Sequence, residues 1–255
     1  MNTDPKAYPN TYEGIEPSQN AMRQTLIHVF RWMGLGLLLS AAVAYFASTS
    51  TAIWRLIYSM PWLPIVVVIA QLAIAFFFSS RLRRMELGAA RISFVVYAVL
   101  TGFTFAIILT AYTSATIFLA FLLAALTFGA MAIYGAKTKR DLSSIGSVGY
   151  SLLFAVIIVS LLNLVLYFVA PGIAQGIDYI LNYVVVALFI GITAWDMQKI
   201  KRMVAASTTG GTLGGETQAI SLEAIGLYGA FMLYLDFINL FIRILRILGY
   251  SSRRN

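Results

Sequence analysis

The sequence predicts an all-α integral membrane protein with about seven hydrophobic helices. Three observations carry that prediction. Hydrophobic residues make up 60% of the 255-residue chain and charged residues 11%, whereas soluble domains run at ~45–50% and ~25%. The apolar residues fall in runs of the ~20 residues that a helix needs to cross the hydrocarbon core. Most of the basic residues gather in short segments between those runs, where they set membrane topology.

In chain order, the spans are expected at 27–48, 62–81, 92–112, 116–134, 148–170, 179–197 and 220–248. They make one membrane domain over 23–250, between a polar tail at 1–22 and a short basic tail at 251–255. The first tail is acidic and lacks the basic and apolar regions of a signal peptide, so the first span is expected to remain as an anchor. Arg81, Arg83, Arg84 and Arg91 cluster between spans two and three. Lys137, Lys139 and Arg140 follow span four in GAKTKRDLSS, and Lys199, Lys201 and Arg202 follow span six. The alternate connections are nearly uncharged: Arg55 is the only base in the first, TSA has none, and the PGIAQGID turn has only Asp178. The positive-inside rule therefore puts the N-terminus in the cytoplasm. Seven full crossings leave Arg243, Arg246, Arg253 and Arg254 outside, unless the last helix is re-entrant. Its ~29 residues reach ~43 Å, which favours a full crossing.

Other features have plain structural readings. The net charge of +8 is spent on topology, not on the solvated basic face that nucleic acid binding needs. The absence of cysteine excludes disulfides and thiolate metal sites. Trp54 and Trp62 suit an interfacial belt. STTGGTLGGETQ has no preceding strand and no following lysine, so it is a linker and not a phosphate loop. His28, the single histidine, lies near a helix end where its ring reaches the interface. Gly226 and Ala230 form a small-xxx-small pair that suits close helix packing. The lack of an internal repeat argues against an inverted-repeat transporter.

Two carboxylates fall inside the predicted spans, Asp196 in ITAWDMQKI and Asp236 in MLYLDFINL. Each costs ~2.5–3.5 kcal/mol to insert at a helix centre, so such residues mark pathways and relays. Asp196 is expected ~25 Å below the outer face and Asp236 ~18 Å before the outer end of its helix, on consecutive antiparallel helices. They meet in the inner half of the membrane. Two carboxylates in low dielectric cannot both ionise cheaply, so the pair shares a proton and titrates as a unit. Raising the pH adds negative charge and favours a nearby cation or guanidinium, with Arg81 as the candidate partner. The plainer alternative places Asp196 at the boundary, solvated or paired with Lys199, and Glu223 in the wet turn before span seven.

Four stretches resemble the Bax inhibitor-1 family of membrane proteins, in its bacterial form. HVFRWMGLGLLLSA is similar to that family's first span and AIYGAKTKRDLSSIG to the motif after its fourth. ITAWDMQKI and LYLDFINLFIRILRILG are similar to its sixth and seventh spans. The resemblance implies seven helices with the C-terminal one central and wrapped by the other six. It also implies a pH-sensitive calcium leak, in the bacterial cytoplasmic (inner) membrane, in which Asp196 and Asp236 share a proton and bind calcium only in passing. An arginine of span two, Arg81 among Arg81, Arg83 and Arg84, latches the closed form. The glycine-rich loop between spans six and seven is longer than in the shorter relatives.

Calcium and protons are therefore the expected permeant and sensed ions, with no tightly bound cofactor and a monomer in the bilayer. Catalysis is not expected. An intramembrane aspartyl protease carries GxGD at its second aspartate, where this chain has LYLD, and the lone His28 offers no serine-protease pair. The competing expectation is a regulatory protein whose polar tail modulates a membrane protease or stress-response partner.

Overall fold

The computed structural model describes residues 18–81, 86–208 and 221–252. It contains α1 (Gln19–Thr49), α2 (Thr51–Ser59), α3 (Leu63–Arg81), α4 (Leu87–Leu109), α5 (Ser114–Lys137), α6 (Ser143–Val169), α7 (Pro171–Thr208) and α8 (Leu222–Ser252), and no strand among the described residues. Among the described residues six helices are long and apolar enough to cross a membrane, or seven spans if the bent pair α2 and α3 counts as one.

Prolines write the breaks. α2 and α3 meet at 95° across Met60-Pro61-Trp62. Pro61 has no N–H to continue α2, and Pro64 sits in the first turn of α3, where none is needed. The short α2 was not foreseen in the sequence. Ser50 starts it by accepting the Ile53 N–H at 3.4 Å. A correction concerns PGIAQGID, which is not a turn but the opening of α7. Pro171 takes the first helical position, and the Ala174 N–H reaches the Ala170 carbonyl at 3.1 Å. The far end of α7 also runs past the expected stop at Met197 to Thr208. The dense charges of Lys199, Lys201 and Arg202 lower the local hydropathy, yet Ile200, Met203 and Val204 form a buried face between them.

α8 is the most enclosed helix: 83% of its most apolar window is buried, against 11–39% in the five other single-helix spans. A helix apolar all round must be buried all round. It packs on α1, α5, α7 and α4, while α6 packs on α7. Aromatic rings fill the seams: Phe78 of α3 stacks on Phe231 at 4.2 Å, and Tyr97 of α4 meets it edge-on at 5.1 Å. A side chain at Gly226 would strike the His28 ring on α1. His28 therefore packs against α8, a contact beyond the interfacial placement expected for it, and Gly226 is small for that reason.

α8 also runs from one end of the bundle to the other. Its start is tied to α4 by the Arg91–Glu223 ion pair. Its end lies beside the start of α7, where Arg243 donates to Asn182 Oδ1 at 3.0 Å and Arg246 pairs with Asp178 at 3.5 Å. Arg243 and Arg246 thus sit at the end of the bundle opposite the start of α1, with partners there, while Arg253 and Arg254 lie outside the described residues.

On its α1 and α4 side, Tyr234 meets the hydroxyls of Ser40 and Thr101. The Ser40 hydroxyl lies 2.7 Å from the Tyr234 hydroxyl, 2.8 Å from the Ala98 carbonyl and 2.9 Å from the Gly36 carbonyl. Ser40→Ala is expected to lower stability by about 0.5–1.5 kcal/mol, because it removes one of the two hydroxyls, Ser40 and Thr101, that neighbour the buried phenol. Thermal unfolding in detergent, compared with Ser93→Ala on the exposed face of α4, reads the difference.

Candidate functional site: the buried aspartate pair

Asp196 and Asp236 are 2% and 3% exposed and are the only charged residues in the buried core among those described. Asp236 lies near the middle of α8, about 21 Å from its first residue. Asp196 lies well inside α7, with eleven residues of intact helix following Ala-Trp-Asp-Met. The two carboxylates are within electrostatic reach of each other and of Lys199. The structure thus brings the pair together, and removes the plainer alternative of a solvated Asp196.

Lys199 does not close an ion pair with Asp196. Its ammonium lies 3.3 Å from the Tyr228 hydroxyl and over the Trp195 and Tyr228 rings, 5.0 and 5.4 Å from their centres. Asp196 Oδ1 and Asp236 Oδ2 are buried with no hydrogen-bond partner among the described residues. Unmet buried acceptors are costly, and a shared proton is the simplest way to lessen that cost.

Three neighbours were not singled out in the sequence. The Thr193 hydroxyl donates to the Phe189 carbonyl at 2.6 Å and also borders Asp236. It has one proton, so it serves either its own helix or the carboxylate. Tyr150 of α6 lies in electrostatic reach of both aspartates and packs edge-on against Trp195 at 5.4 Å. Tyr228 of α8 completes the group. Thr193 stands one helical turn before Asp196 and was open to a periodicity argument. Tyr150 had no such signal, since only tertiary packing brings α6 to α7.

The same stretch of α7 clasps the loop after α5. Gln198 accepts the Leu142 N–H at 2.9 Å and donates to the Arg140 carbonyl at 2.8 Å. Arg202 donates to Ser143 Oγ at 2.6 Å and pairs with Asp141. Asp141 is held down to about 2, mainly by the Ser143 backbone N–H and hydroxyl, with Arg202 adding to them. A carboxylate with a depressed folded-state value contributes stability above its ordinary range near 4, and that contribution is lost as the pH falls toward 2. Asp141→Asn should therefore flatten the acid limb of thermal stability between about pH 4 and 2, with the wild type converging on the variant at the acid end.

Arg81 ends α3, and its side chain lies outside the described residues, as do Arg83 and Arg84. Most of the 1–22 tail and of the glycine-rich loop also lies outside them. Among the described residues no group of three or more His, Cys, Asp or Glu is placed to hold a metal. Two carboxylates fall well short of the six to eight oxygens that calcium takes, so the pair offers at most a passing contact.

These features define a multi-pass helical membrane protein with two buried carboxylates, within electrostatic reach of each other, on the adjoining helices α7 and α8. The family model described as inhibitor of apoptosis-promoting Bax1 matches residues 22–253. The chain belongs to that family, the Bax inhibitor-1 family. It is 35% identical over 242 residues to the inner membrane protein YbhL of Escherichia coli K12, covering 95% of this chain and 97% of that one. It is 34% identical over 230 residues to an uncharacterized protein of Rickettsia prowazekii, covering 89% and 90%. An uncharacterized membrane protein of Streptococcus pyogenes is 35% identical over 238 residues, covering 92% and 96%.

Proposed function

We propose that this protein is a pH-sensitive calcium leak of the inner membrane, with Asp196 and Asp236 as its proton sensor. The observation that carries the proposal is the pair itself: two carboxylates, each almost wholly buried and within electrostatic reach of each other, on adjoining helices. Burying such groups is expensive, and neither has the ion-pair partner that a purely structural role would supply. Hard oxygen ligands suit calcium, and so few of them suit passage rather than retention.

In this reading α8 is the central helix and the other six surround it, in keeping with its burial. The basic connections face the cytoplasm with the N-terminus, and the inner membrane location rests on the name of the E. coli relative. The ionised pair holds the Arg81 guanidinium and keeps the path shut. A shared proton weakens that hold. The protein works as a monomer, without catalysis and without a resident cofactor. Modulation of a membrane protease through the 1–22 tail remains the alternative, and residues 1–17 lie outside the described ones.

The direct test is ion flux through purified protein in proteoliposomes across a pH series, with calcium, sodium and potassium compared. Calcium flux that rises as the pH falls supports the proposal. Flux no greater than that of empty liposomes at every pH overturns it.

A further inference from the structure

A second site lies at the end of the bundle where α1 begins. A cleft of about 960 Å³ opens between α1, α5 and α7, at the upper end of the ~300–1,000 Å³ typical of small-molecule pockets. Its lining is ordered along α1. Asn20 and Arg23 come first, and Ile27 and Phe30 follow on the same face at intervals of three and four residues. Lys201 of α7 adds a second cation, and Met197 adds apolar surface. Arg23 and Lys201 have no carboxylate partner among the described residues. Ile27 and Phe30 are 55% and 43% exposed, on a helix long and apolar enough to span the bilayer.

We propose that this cleft binds an anionic phospholipid. Its phosphate-bearing headgroup sits between Arg23 and Lys201, and its acyl chains run along Ile27 and Phe30. The step from charge to hydrocarbon, about 10 Å along α1 from Arg23 to Phe30, matches the step from headgroup to chain in a lipid. A free phosphate would use the two cations and leave the apolar stripe bare. Basic pockets between helices at the cytoplasmic surface select anionic headgroups in this way. Met197 directly follows Asp196, so the bound lipid lies one residue from the carboxylate pair.

The test uses the full chain in detergent, titrated with phosphatidylglycerol and with phosphatidylcholine of the same acyl chains, and read by native mass spectrometry. Phosphatidylglycerol is expected to bind tighter by roughly five- to thirty-fold, about a factor of five for each basic residue. Arg23→Gln/Lys201→Gln should erase that preference, while Lys139→Gln, which removes a charge at the same end outside the cleft, should keep it. A photoreactive phosphatidylglycerol should label the Ile27–Phe30 segment in the wild type, which locates the site without any variant. Equal binding of the two lipids, an unaffected double variant, labelling elsewhere, or displacement of the lipid by inorganic phosphate would each overturn the proposal. So would tighter lipid binding in Glu13→Gln/Glu16→Gln, because the acidic tail would then be the occupant.

Discussion

Asp196→Asn/Asp236→Asn should abolish the pH dependence of calcium flux while leaving the protein folded. Asparagine keeps the size of each side chain and removes the titrating proton, so the pair becomes neutral at every pH. In the proposed leak, the wild type carries its full negative charge at high pH and holds the Arg81 guanidinium. Acidification restores the shared proton and weakens that hold, so flux rises as pH falls, by up to about tenfold per pH unit for a single proton. The double variant has nothing left to titrate and should pass ions at a rate that is flat with pH. Asp236→Asn alone should already shift the profile, because removing one charge relieves the other of its repulsive neighbour. Proteoliposome flux across the pH series measures both. A wild-type pH profile in the double variant would sink the aspartate mechanism, whatever the flux itself showed.

Gly135→Ala should be the most destabilising single methyl addition in the bundle. A Cβ at Gly135 would collide with the backbone of Ala194, including its carbonyl oxygen. Backbone cannot swing aside as a side chain can, so α5 must move off α7. Overpacking of this kind costs about 1–3 kcal/mol, roughly 2–10 °C in apparent Tm at the usual scaling. Gly129→Ala on the same helix, with nothing within 4 Å of the added carbon, is the matched control. There the better helix propensity of alanine, up to about 1 kcal/mol, should make the change neutral or stabilising. Ala194 lies two residues before Asp196, so Gly135→Ala should also disturb the pH response. Thermal unfolding of both variants in one detergent, with flux measured beside it, separates packing loss from gating loss. Equal Tm values for the two variants would show that α5 and α7 are not in backbone contact.

Much of this was legible in the residues. Helical spans, basic connections and the two costly aspartates follow from local hydropathy, because a bilayer imposes its thickness on every crossing. The run of α8 from one end of the bundle to the other suits the length read for it in the sequence. The readings that failed did so where local hydropathy misreports burial. Lys199, Lys201 and Arg202 made α7 seem to end at Met197, although their long side chains leave one face of the helix and Ile200, Met203 and Val204 occupy another. PGIAQGID carries two glycines and a proline and so resembles a turn, yet proline is at home in the first position of a helix.

The site shows the same division. That Asp196 and Asp236 were unusual was decided by the sequence, since charge in an apolar run is expensive wherever the run ends up. That they come within electrostatic reach of each other, that Lys199 turns to Tyr228, and that Tyr150 joins the group from α6 were decided by tertiary structure alone. Hydropathy is a property of each residue and its near neighbours, and it can assign each helix to the membrane. Which faces of two helices meet depends on shape across gaps of up to hundreds of residues, such as the missing side chains at Gly135 and Gly226, and no local pattern encodes it.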